Sequence, residues 1–254
     1  MQLTWKKSKY GWFDAYTPEG IKLKVPSVTA VIATAKDPEM EAFIEEVGEE
    51  QAKKIIKLAA DRGTVMHYYL ENYYRAIKLK GDPDKALLYT QAKTPQMIQK
   101  EGISEKSLKT GRDLFYQLYE SSMPSEIHHV LGLENKIASF SNLYRGQYDI
   151  NYITNDGKIV ITDYKTSSAM VEVGSTKEYK MKMQLAGYWG AYEEMYPKVK
   201  LDYAKLWISV KGQGPQEINI GRDDKEKYLI EFLDLCKKYH KSINQEQYLY
   251  LKDI

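Results

Sequence analysis

Cysteine is almost missing from this chain: 254 residues include one, Cys236. A single thiol excludes an internal disulfide, an all-cysteine zinc site and a cysteine-held iron–sulfur cluster. Cys236 falls in YLIEFLDLCKKY, on the apolar side of a helical pattern, where it is expected as a small buried hydrophobe. Long apolar runs are missing too. None approaches the ~18 residues of a membrane helix. The opening MQLTWKKSKYGWF has neither the apolar stretch of a signal peptide nor a Ser- and Arg-rich transit composition. The expectation is a cytoplasmic protein, the cytoplasm of a phage-infected cell included. Net charge is small, at +2, and argues neither for nor against nucleic acid. Repeats and low-complexity tracts are absent. So is any Gly-x-x-x-x-Gly-Lys-Ser/Thr segment, so ATP-driven unwinding, if needed, falls to a partner.

What is there is an ordinary globular composition with 22 tyrosines, most of them expected in the core and its rim. Residues 3–24 read as a small hairpin extension with a turn at Pro18-Glu19-Gly20. Ser27 caps a short helix, and Asp37-Pro38 opens another that Gly48 ends. Glu49 to Ala60 reads as a helix, Arg62-Gly63 as a break or bend, and Thr64 to Leu79 as a further helix. Met66, Tyr69, Leu70, Tyr73 and Ile77 form the apolar stripe of that last helix, and His67 lies just off it. Helical patterns continue to residue 122, interrupted at Thr94-Pro95. From Ile127 the pattern turns to strands, then a helix from Ser175 or Thr176 to Tyr196. A buried strand from Leu201 to Val210, a short strand and a helix from Asp223 to Tyr239 follow.

Arg145 to Lys165 is the informative stretch. Asn155-Asp156-Gly157 between two apolar runs marks a hairpin. Asp149 and Asp163 lie equally far from Asp156, so the turn sets them opposite each other. Asp163 and Lys165, two apart on a strand, share a face. Two carboxylates and an ammonium on one patch suit a hard divalent cation and the hydrolysis of a phosphodiester. The Tyr164 carbonyl adds a third oxygen, and Lys165 is placed to orient water or offset charge. Asp-x-Lys alone is better explained by a charge pair on a surface strand. Downstream, Gln184 and Tyr188 share a helix face at i and i+4. A core-rim role explains both on their own. Lys177, Lys180 and Lys182 suit a phosphate backbone, though a solvated face explains them as well.

Together these residues resemble the PD-(D/E)XK nucleases, and within them the RecB-like branch. The resemblance covers residues 60–210. It rests on the helix histidine, Gly146-Gln147-Tyr148-Asp149, Asp163-Tyr164-Lys165-Thr166-Ser167 and the Gln184-x-x-x-Tyr188 helix. Val25-Pro26-Ser27-Val28-Thr29 and Arg62-Gly63-Thr64-Val65-Met66-His67 look like the mitochondrial genome maintenance exonucleases and their phage relatives. The lack of a transit peptide points to the phage or bacterial side. CRISPR-associated relatives with four cluster-binding cysteines do not fit a chain with one.

The resemblance implies a metal held by His67, Asp149 and Asp163, to which the Tyr164 carbonyl is expected to add an oxygen. It implies a catalytic Lys165 beside Asp163 and Asp149, and Gln184 and Tyr188 steadying site and substrate. Glu134 matches an acid some relatives keep near a second metal. Arg62, Lys177, Lys180 and Lys182 are candidate contacts to nucleic acid. The implied fold is α/β (α+β), a restriction-endonuclease-like core with a central mixed sheet flanked by helices. The expected organisation is one nuclease domain over residues 1–254: an N-terminal hairpin (1–26), a helical lobe (27–122), the core (123–240) and a tail (241–254). The implied activity is that of a Mg2+- or Mn2+-dependent DNA exonuclease preferring single strands and free ends, in replication, repair or recombination, possessing DNA and a helicase or similar protein as partners. A structure-specific endonuclease on the same core, or a DNA-binding accessory module without chemistry, are the alternatives.

Overall fold

A computed structural model describes residues 3–243. Two short strands, β1 (Thr4–Lys7) and β2 (Phe13–Tyr16), pair antiparallel as the expected hairpin. Ser27 caps α1 (Val28–Ile32) by accepting from the Ala30 amide. Asp37 caps α2 (Pro38–Val47), with proline at its first position, where no backbone N–H is needed.

The next element overturns an expectation. Arg62-Gly63 does not break the chain: α3 (Glu49–Lys80) is one helix of 32 residues. One glycine costs a helix only ~1 kcal/mol, and packing outweighs it here. Val65, Met66, Tyr69 and Leu70 are buried just beyond the glycine. Thr94-Pro95 likewise fails to interrupt α4 (Pro83–Ile98). Thr94 is fully buried and accepts from Asn72 of α3, which holds the last turn in place despite the missing proline N–H. After a 3-10 turn (Gln99–Glu101), Ser104 caps α5 (Glu105–Tyr119). A short α6 (Met123–Glu126) precedes the sheet and has no sequence signal of its own.

The sheet has five strands in chain order: β3 (Ile127–Ser139), β4 (Tyr144–Thr154), β5 (Ile159–Ser167), β6 (Tyr203–Val210) and β7 (Gly214–Ile220). The strand pattern from Ile127 is one long strand, with register shifts between Ile127 and His129 and between Val130 and Gly132. The β4–β5 turn is as expected, with Gly157 at φ 84. β5 and β6 run parallel and the other neighbours antiparallel, so the sheet is mixed. A parallel pair needs a long crossover, and α7 (Thr176–Met195) supplies it. α8 (Arg222–Ile243) ends the described chain. It passes the expected end at Tyr239, and the rest of the expected tail, from residue 244, lies outside the described residues.

Helices cover both faces. α1, α7 and α8 pack with Ile161, Leu206 and Ile208 on one side. α3, α4 and α5 pack with Val160, Tyr164 and Trp207 on the other. Strand alternation thus sends Asp163 and Lys165 toward α7, and Tyr164 toward α3. The alternation also breaks in β4. Tyr148 belongs to the α7 side and Ile150 to the α3 side, so the fault falls at Asp149. No helix among the described residues is long and apolar enough to cross a membrane.

Candidate active site

Asp149 sits where two ladders lapse. Its neighbour Ile150 pairs with Thr162 of β5, and there that ladder ends. Across β3, Leu133 pairs with Ile150 and Asn135 with Tyr148, which leaves Glu134 facing Asp149 unpaired. Glu134 has φ 52, a left-handed conformation that a glutamate adopts only under constraint. Gln147 donates to its carboxylate. Asp149 Oδ2 accepts the Tyr164 amide at 2.5 Å, so a side chain replaces the missing rung between β4 and β5.

His67 reaches across from α3. Its Nδ1 lies 3.2 Å from Asp149 Oδ1 and its Nε2 3.0 Å from the Tyr164 carbonyl. Ligand atoms of His67, Glu134 and Asp149 all lie within 4.8 Å of one another. Asp163 is not in that trio. It faces α7, with Lys165 Nζ 2.5 Å from its Oδ2. Gln184 Nε2 donates to the same oxygen at 3.2 Å and lies 2.9 Å from the Tyr188 hydroxyl. Gly146 makes room for this pair: a Cβ there would come within 2.8 Å of the Tyr188 ring.

Electrostatics follow from crowding acids away from water. Burial and the Asp149 charge push the Glu134 carboxyl up to about 8. Burial raises Asp163 to about 6, against the pull of Lys165. Burial alone would raise Asp149, yet the His67 ring holds it below the ordinary carboxylate range. Burial would lower His67, but Asp149 lifts it to about 9. Lys165 is raised for the same reason: the Asp163 and Asp149 charges outweigh its desolvation. A cleft of about 440 Å³ opens onto His67, Glu134 and Lys165, lined also by Ala59, Ala60, Gly63 and Glu71 of α3.

A family model described as the PD-(D/E)XK nuclease superfamily matches residues 41–248. The chain belongs to the PD-(D/E)XK nuclease superfamily. No curated protein matches it. Among solved structures it is similar to the "Putative exonuclease" of Eubacterium rectale, at 11% identity and a TM-score of 0.44, over 76% of this chain and 68% of that one. It is also similar to SSO0001, at 17% identity and a TM-score of 0.31, over 72% of this chain and 75% of that one.

Nucleases of this superfamily generally use divalent metals, and the residues present fit one. His67, Glu134 and Asp149 offer one nitrogen and carboxylate oxygens, a donor set for a hard or borderline cation. Glu134 and Asp149 face each other across β3 and β4 with the His67 ring beside them, a donor set that a cation would bridge. Bound there, a divalent ion polarises a phosphoryl oxygen and makes a water more acidic.

The basic candidates of this nuclease divide. Lys180 is tied to Asp37 at 2.9 Å and Lys182 to Glu178 at 2.9 Å, so both are already paired. Lys177 donates to Ser167 Oγ at 2.7 Å. The residue is exposed as a whole, but its ammonium reaches the buried Ser167, and desolvation and the Arg62 guanidinium lower its pKa. Arg62 Nε is buried without a hydrogen-bond partner. Glu71, one turn beyond His67, also lines the cleft and belongs to none of the sequence motifs. Its only signal is the i, i+4 spacing from His67.

Proposed function

We propose that this nuclease is a Mg2+- or Mn2+-dependent DNA exonuclease of the RecB-like branch, akin to the mitochondrial genome maintenance exonucleases and their phage relatives. It prefers single strands, works from free ends, and serves replication, repair or recombination in the cytoplasm of a bacterium or phage-infected cell, beside a helicase or similar partner. In this reading the chain is one nuclease domain. The observation that carries the reading is the Asp163–Lys165 ion pair beside the His67, Glu134 and Asp149 trio, with His67, Glu134 and Lys165 lining one open cleft.

His67, Glu134 and Asp149 would hold the cation, with Asp163 and the Tyr164 carbonyl as further oxygen donors. Lys165 keeps its proton, fixed by Asp163, and its charge meets the phosphate under attack. Gln184 orients Asp163, and Tyr188 backs Gln184. Asp149 and Asp163 are only 6% and 4% exposed, which supports a thin, flexible strand over a rigid duplex.

End-labelled and circular DNA, single- and double-stranded, incubated with Mg2+ or Mn2+, tests this reading. Linear single strands are degraded and circular ones persist. Cutting of circles would instead favour an endonuclease. Asp163→Ala abolishes nucleotide release while circular dichroism shows the fold retained. Unchanged release would remove the mechanism, and no release from any substrate by the unaltered protein would favour an accessory binding module.

A further inference from the structure

We infer that a second cleft, on the α7 side of Lys165, is a nucleoside subsite: it takes the nucleotide next to the bond being cut, with the base stacked on Phe43 and a phosphate met by Lys177. The inference rests on the nuclease reading above and adds where the substrate's neighbouring residue lies.

The cleft has a volume of about 380 Å³. Lys165 lines it and the acid-bearing cleft alike, so the two meet at the catalytic lysine. A strand whose phosphate sits at Lys165 must send one neighbouring nucleotide this way or out to solvent. The wall is apolar where a base would lie: Ile32 of α1, Met40 and Phe43 of α2, and Met181 of α7. The cationic side is Lys177, which donates to a neutral hydroxyl, Ser167, and makes no salt bridge among the described residues. Lys180 cannot serve in the same way, because Asp37 holds it and Ala35 accepts from it at 3.1 Å. Glu39, the remaining acid of the wall, is engaged with the Thr176 amide at 3.2 Å, and this tether fixes α2 over the start of α7.

Phe43 decides the class of ligand. The chain has five phenylalanines. Phe13, Phe115, Phe140 and Phe232 each pack against another aromatic ring. Phe43 has no ring partner among the described residues, belongs to no core cluster and is half-buried on the cleft wall. A flat apolar ring beside a phosphate-seeking lysine is the pairing that single-stranded nucleic acid calls for, because every base offers a π-face.

The test is a cycle. Oligonucleotides carry one abasic residue, stepped along the strand, and KM is measured for the unaltered protein and for Phe43→Ala, with Mg2+ or Mn2+ present. One abasic position raises KM about tenfold in the unaltered protein, the scale of a lost base–aromatic stack. Phe43→Ala raises KM about tenfold on intact DNA and then shows no further loss at that position. Phe43→Leu lies between. Lys177→Met lowers the steepness with which KM rises with salt, by about one phosphate contact. Multiplying penalties, or a Phe43→Ala protein that melts like the unaltered one and has an unchanged KM, overturn the subsite. Those results leave the nuclease reading standing, since it fails only if the unaltered protein cuts no intact DNA.

Discussion

Glu134 and Lys165 show what side-chain placement adds to a motif. Asp163 and Lys165 are legible in sequence because strand periodicity puts i and i+2 on one face, and they do pair. Glu134 is not legible at the same strength. Its place opposite Asp149 depends on a left-handed backbone that neither glycine nor asparagine announces. Lys165 provides the prediction at this scale. Its ammonium lies 2.5 Å from Asp163, an arrangement that suits the fixed charge proposed above better than a proton acceptor. Lys165→Met lowers the rate of cutting by about 10²–10³, the usual cost of one charge-stabilising donor. Binding of a single-stranded oligonucleotide without divalent cation changes little. Lys165→Arg keeps the charge and recovers part of the rate. Single-turnover cutting and fluorescence anisotropy separate the two effects, and an oligonucleotide affinity that collapses with the rate would mean that Lys165 serves binding instead.

Among elements, α3 carries the most consequence. Its unbroken length brings His67 to β5 while its first turns reach past the core, and the sequence suggests two helices instead. Local propensity sees a glycine; it does not see α5. Gly111 of α5 is pressed against α3, where a Cβ would come within 2.5 Å of Val65 Cβ and 2.6 Å of the Arg62 carbonyl. The helix persists at Arg62-Gly63 because another helix is seated there. The hairpin around Asp156 was readable for the opposite reason: its turn, register and alternation are all local. Gly111→Ala gains helix propensity of up to ~1 kcal/mol, yet α3 backbone must shift to admit the methyl. Overpacking of ~1–3 kcal/mol exceeds the gain. The variant melts at a lower temperature, and because Arg62 and His67 ride on the displaced helix, cutting also slows. A variant at least as stable as the parent would show that α3 and α5 separate freely.

At the scale of the whole molecule, the far end of α8 is fastened to the turn that starts β4, the strand bearing Asp149. His240 is fully buried and lies 3.0 Å through Nε2 from the carbonyl of Leu143, itself at φ 54. Its other nitrogen, Nδ1, has no partner, so the ring is neutral with the proton on Nε2, donating to that carbonyl. Burial lowers its pKa, against the smaller contribution of the Leu143 hydrogen bond. The consequence for stability has a definite sign. Above the unfolded value of about 6.5 the ring is neutral in both states, and its contribution is complete. As pH falls below that value the unfolded chain takes up a proton that the folded chain refuses, and stability drains away until pH passes the lowered folded pKa. His240→Gln can keep a donor to Leu143 but cannot titrate. At pH 7.5 it is less stable than the parent by about 1 kcal/mol, the scale of one imperfectly replaced buried hydrogen bond. The gap narrows as pH is lowered toward 5, because only the parent loses the histidine's contribution. Urea melts of both proteins across that range measure it, and a gap that stays constant or widens would mean that His240 takes up its proton inside the fold.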